Sequence, residues 1–200
     1  NLESADAEVA RQAILAIAAL DVRPFVARLM EIGLDSRRPD AVRVAAFQAA
    51  GKGGPALPPA GFDFLASQLV DQPSLGERLS AAEALGRCGV NVEQLERAAD
   101  LIATCGPLEG SWLLQAFERH PGERAGLALV GALTKSTALA SITNDRLREV
   151  FAKYPDAVRE AARPLGERAS PADAERAAKL NSVEVAMEGG DVAGGEDVFF

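Results

Sequence analysis

Apolar residues recur at helical spacing along this chain in a series of short segments, and one of those segments repeats. Arg43-Val-Ala-Ala-Phe-Gln-Ala-Ala-Gly51 is echoed by Arg78-Leu-Ser-Ala-Ala-Glu-Ala-Leu-Gly86, about 35 residues on. The same interval again leads to Leu113-Leu-Gln-Ala-Phe-Glu118, which brings Val44, Leu79 and Leu114 into register, and likewise Ala46, Ala81 and Ala116. Leu147-Arg-Glu-Val-Phe-Ala152 is a looser fourth copy, and residues 9–20 look like an earlier one. A helical unit of this length cannot bury its apolar face alone, so its repetition predicts an all-α fold, an α-α superhelix of stacked antiparallel helix pairs.

The remaining helix signals fit between these copies. Val9, Ala13, Ile17 and Leu20 predict a helix over 6–20. Pro24 suits the first turn of a second helix carrying Phe25, Val26, Leu29 and Met30 and ending near Gly33. Asp40 is placed to cap the helix that ends at Gly51, and the Gly- and Pro-rich stretch 51–60 reads as a loop. A short helix over 61–70 would turn Phe62, Leu65 and Leu69 inward. Ser74 with Glu77, and Asn91 with Gln94, have capping-box spacing, the second opening a helix over 91–104. Pro107 opens a helix with Trp112, Leu113, Ala116 and Phe117 that stops at His120-Pro121. The helix over 122–135 is apolar on Leu127, Leu129, Val130 and Leu133. Asn144 or Asp145 caps the helix of Leu147, Val150 and Phe151, which ends at Tyr154-Pro155. In the helix over 156–168, Pro164 must introduce a kink or a stop. Ser170 caps a longer helix over 171–187, ended by Gly189-Gly190.

Composition narrows the function classes. The chain is 48% hydrophobic and 25% charged, enough apolar content to bury a core. No run of 18 or more uncharged apolar residues exists, so direct membrane insertion by a helix is not expected. Of the net charge of −8, five acids after Lys179 (Glu184, Glu188, Asp191, Glu196, Asp197) account for most, leaving about −3 for the body. Neither part carries the basic stripe that phosphate binding needs, which argues against a nucleic-acid partner. The chain opens on Asn1 and stops on the apolar pair Phe199-Phe200, and we read it as part of a longer protein.

The candidate chemistry is thin. His120, the single histidine, sits beside Pro121 at a turn, with no second imidazole to complete a metal site. Cys88 and Cys105 form no Cys-x-x-Cys pair. The intervening helix would hold their sulfurs about 20 Å apart, beyond the ~7 Å Cα limit for a disulfide. Trp112 lies on an apolar helix face and reads as a core residue, and Asp6, Asp40 and Asp145 read as helix caps. The Gly-rich loop lacks the Gly-x-x-x-x-Gly-Lys-Ser/Thr phosphate signature. The expected catalytic, cofactor-binding and metal-binding residues within this segment are therefore none.

The helix pairs, with the arginine-headed, Ala-rich helix second in each, resemble HEAT-like (armadillo-like) repeats over residues 1–168, followed by a terminal or linker helix over 169–188. That resemblance implies a scaffold whose second helices line a concave partner surface. Some HEAT-like proteins excise bases from DNA, which needs a basic concavity that this chain lacks. Residues 189–200 contain Gly190-Asp-Val-Ala-Gly-Gly-Glu-Asp-Val-Phe-Phe200, which resembles the opening of a class I c-type cytochrome domain. There Gly195 would allow close helix crossing and Phe199 would be the core aromatic. Helical repeats leading into such a stub resemble the large membrane-bound dehydrogenase-like proteins of planctomycetes and verrucomicrobia, which carry a β-propeller dehydrogenase-like domain ahead of the repeats. This resemblance implies haem c in the parent protein downstream of Phe200, electron transfer, and a periplasmic or cell-envelope location. The expected partners are then neighbouring domains of the same chain or another protein. The alternative is a free-standing, cytoplasmic protein-interaction module. An enzyme built on the repeats themselves has nothing in the sequence to support it.

Overall fold

The computed structural model describes residues 6–19, 23–51, 56–71 and 74–168. Among the described residues ten α-helices follow one another through short turns, with no strand. They are α1 (Ala7–Ala19), α2 (Val26–Leu34), α3 (Asp40–Ala50), α4 (Pro59–Asp71), α5 (Leu75–Arg87), α6 (Val92–Thr104), α7 (Pro107–Glu118), α8 (Glu123–Lys135), α9 (Asn144–Phe151) and α10 (Asp156–Arg168). Short 3-10 turns precede α2 at Arg23–Phe25 and separate α8 from α9 at Thr137–Ser141. The fold is therefore all-helical. The terminal helix expected over 171–187, its Ser170 cap and the segment 189–200 lie outside the described residues.

The repeated phrase falls on α3, α5, α7 and α9, with its earliest copy on α1. These odd-numbered helices pack on one another in order, α1 on α3, α3 on α5, α5 on α7 and α7 on α9. The even-numbered helices do the same, with α4 on α6, α6 on α8 and α8 on α10. Within pairs, α2 packs on α3, α4 on α5, α6 on α7 and α9 on α10. The small residues in register explain the close approach: Ala46, Ala81 and Ala116 are all buried, as are Val44 and Leu114, while Leu79 is half-buried. One residue further, Phe47, Ala82, Phe117 and Phe151 occupy one repeat position and are all buried. Phe47 is wedged between neighbouring helices by two glycines: a Cβ at Gly33 of α2 would lie 2.7 Å from its ring, and one at Gly61 of α4 would lie 3.1 Å away. Val9, Phe25 and Leu127 face outward instead, so the apolar stripes of α1, α2 and α8 are narrower than their sequences suggest.

Several local expectations need correction. Asp40 does not cap α3. Pro39 takes the N-cap position and Asp40 is the first helical residue, where its charge faces the helix N-terminus and meets Arg43 Nη1 at 3.3 Å. Ser74 is the N-cap of α5 but its side chain accepts no capping bond. Residues 74–77 are all exposed, so water can serve the open amides. Thr143, not Asn144 or Asp145, caps α9, accepting from the Arg146 amide at 3.2 Å. The buried Ile142 fixes the chain just before it and shifts the cap by one residue. The helix predicted over 61–70 starts two residues earlier at Pro59, which needs no amide partner there. Pro164 does not end α10, which continues to Arg168. The carbonyl deprived of its partner belongs to exposed Glu160, open to water. By contrast, Asp6 caps α1 through the Glu8 and Val9 amides (2.9 and 3.3 Å), and Asn91 and Gln94 form a complete capping box at 2.9 Å in both directions.

Candidate functional site

Outward from the helices lie the polar side chains. Many tie one helix to the next in the same row. Gln48 of α3 donates to Glu83 of α5 at 2.8 Å, and Arg78 of α5 pairs with Glu109 of α7 at 3.0 Å. Arg146 of α9 pairs with Glu118 of α7. In the even row Asp63 of α4 pairs with Arg97 of α6 at 2.7 Å, and Glu96 of α6 pairs with Arg124 of α8. Arg168 of α10 donates to the Thr134 carbonyl of α8 at 3.2 Å. Arginines also lie over aromatic rings of neighbouring helices, Arg43 over Phe64 at 3.5 Å, Arg97 over Phe62 at 4.7 Å and Arg87 over Trp112 at 5.5 Å. Trp112 is half-buried against the core.

A second set of side chains satisfies backbone carbonyls of the preceding unit. Arg119 reaches the Gly86 and Cys88 carbonyls at 2.6 and 2.7 Å, and burial lowers its pKa against the pull of its charged surroundings. Gln94 Nε2 donates to the Leu57 carbonyl at 2.9 Å, tying the end of the 51–60 loop to the start of α6. Ser136 Oγ donates to Ile102 at 2.6 Å, and Tyr154 Oη donates to Phe117 at 2.7 Å. Burial, with the Glu118 charge beside it, pushes the Tyr154 phenol up to about 12.

The two cysteines cap successive helices, so that α6 lies between them as expected: Cys88 follows α5 and Cys105 follows α6, and both are free. Cys88 is buried and Cys105 half-buried. Burial pushes the Cys88 thiol up to about 12 against the opposing field of Arg119; burial and the Glu109 charge push Cys105 up to about 11. Both are thiols rather than thiolates near neutral pH, the weakly nucleophilic form. His120 is exposed at its turn. Among the described residues no three His, Cys, Asp or Glu side chains gather closely enough to hold a metal ion.

Besides a concave surface of about 480 Å³ at the end of α2, lined among others by Arg28, Glu31, Asp35 and Arg38, two more lie among the described residues. One, of about 220 Å³, crosses the exposed face of α1, α3 and α5, with Arg11, Asp40, Gln48, Gln68, Glu77 and Ser80 around its rim and floor. The other, of about 470 Å³, is an open cleft between α9 and α10, with Leu147, Phe151 and Ala162 flanked by Arg148, Arg159 and Arg163. Neither holds a nucleophile with an adjacent base, and each presents a surface that a polypeptide segment can lie along. No protein-family model, curated protein or solved structure matches the chain. No described helix is long and apolar enough to cross a membrane.

Sequence reasoning found the helices that carry these surfaces, but not the ties between them. Arg119, Tyr154 and Ser136 act on carbonyls of the previous unit, and nothing in their local sequence marks them for that. Their spacing is the available signal: each stands 31 to 37 residues after its acceptor.

Proposed function

We propose that this chain is a non-catalytic, HEAT-like helical-repeat scaffold or spacer, an α-α superhelix that holds other domains in place. The observation that carries the reading is the use made of its reactive side chains. Cys88, Ser136, Tyr154, Arg119 and Glu109 are all engaged in joining one helical unit to the next. What is left for a partner is an extended surface, which is how stacked repeats serve. The Gly190–Phe200 stretch extends the reading: the scaffold belongs to a multidomain c-type cytochrome or dehydrogenase, with haem c attached beyond Phe200, neighbouring domains as its partners and electron transfer in the periplasm or cell envelope as its setting. A free-standing cytoplasmic interaction module is the second reading, favoured by the groove across α1, α3 and α5.

Mass-spectrometric sequencing of the natural polypeptide, with a haem assay on the same sample, separates the two. The expected result is a Cys-x-x-Cys-His sequence within about 15 residues after Phe200 and covalently bound haem. A polypeptide lacking both, and recovered with a stable protein partner, overturns the cytochrome setting in favour of the interaction module.

A further inference from the structure

We draw no further inference here: the strongest candidate, the open cleft between α9 and α10 with Leu147, Phe151 and Ala162 on its floor and Arg148, Arg159 and Arg163 each paired with an acid of its own helix, carries nothing because nothing in the structure shows what covers it.

Discussion

Gly86 and Gly131 are both helical glycines, and the structure assigns the same substitution opposite effects at the two positions. Gly86 lies in the last turn of α5, pressed against the backbone of α7. A Cβ added there would overlap the carbonyl oxygen of Trp112 and stand 3.0 Å from its carbonyl carbon. Ordinary contact between carbons is about 3.5–4.0 Å, and the overlap with the oxygen is deeper still, so α5 and α7 would have to part by about 1 Å or more. The obstacle is backbone and cannot rotate away. The Gly86 carbonyl is also one of the two that Arg119 holds, so a shift of α5 strains that tie as well. Overpacking of this kind costs about 1–3 kcal/mol, and the gain in helix propensity on replacing Gly by Ala, about 1 kcal/mol, offsets part of it. Gly131 sits within α8, is exposed, and has no atom within 4 Å of where a Cβ would be. There only the propensity gain remains.

Gly86→Ala should therefore lower the melting temperature by a few degrees, and Gly131→Ala should raise it by about 1–4 °C, at the 2–4 °C per kcal/mol usual for a chain of this size. Thermal unfolding followed by circular dichroism at 222 nm reads both. The pair controls for propensity: if Gly86→Ala stabilises the protein as much as Gly131→Ala does, α5 and α7 are not in backbone contact and the packing described for the odd-numbered row is wrong.

Other positions give equally direct tests. Ala81→Glu places a carboxylate at a fully buried site in the middle of α5 and should cost several kcal/mol, disturbing α3 and α7 as well; an unchanged denaturant midpoint would refute the register of Ala46, Ala81 and Ala116. Asn91→Ala removes a complete capping box and should cost about 1 kcal/mol, whereas Ser74→Ala, which removes no capping bond, should change the chemical-denaturation midpoint little. In thiol labelling of the native protein at pH 8, Cys105 should react before Cys88, whose modification should track unfolding, and an 88–105 disulfide in the folded monomer would contradict the helix between them. Folded pKa values raised from 9.0 to about 12 for Cys88, and from 10.0 to about 12 for Tyr154, mean a contribution complete below pH 9 and lost as pH rises toward 12, so stability should fall across that window. Cys88→Ala should shallow that fall.

The odd-numbered helices were legible because their repeat is written in side-chain size. Ala46, Ala81 and Ala116 must be small for neighbouring helices to approach, and that requirement survives as an Ala in each copy. The Asn91–Gln94 box was legible because both of its partners lie four residues apart or less. Ser74–Glu77 has the same spacing and forms no box, since exposed amides can turn to water instead and the motif alone does not decide between the two. The 3-10 turn at Thr137–Ser141 left no periodic signal. It is held by Ser136, which donates to Ile102 while accepting from the Ala138 amide, and the first of those bonds spans 34 residues. The α9–α10 cleft was equally hidden. Its arginines look like ordinary solvated helix faces until Leu147, Phe151 and Ala162 are brought together beneath them.

The long-range ties also bear on how a stack of such uniform helices keeps one arrangement. An Ala- and Leu-rich face fits a similar face nearly as well after sliding by a helical turn, because the ridges it presents are alike. Burial alone therefore gives cohesion without a sharply defined register. Most of the ion pairs between helices are too exposed to add much stability: the Asp63–Arg97 side chains are 57% and 53% accessible. Each is nevertheless lost on a slide of one turn, about 5.4 Å. The buried ties discriminate more strongly. Glu109 is almost fully enclosed, and moving it away from Arg78 would leave its charge without a counterion. Arg119, Ser136 and Tyr154 would likewise leave buried carbonyls behind. Polar ties, buried or exposed, recur between successive helices of both rows, from α3 and α5 through α8 and α10. Their chief contribution is therefore selection of register rather than net attraction, and a fixed register is what the proposed spacer role would require.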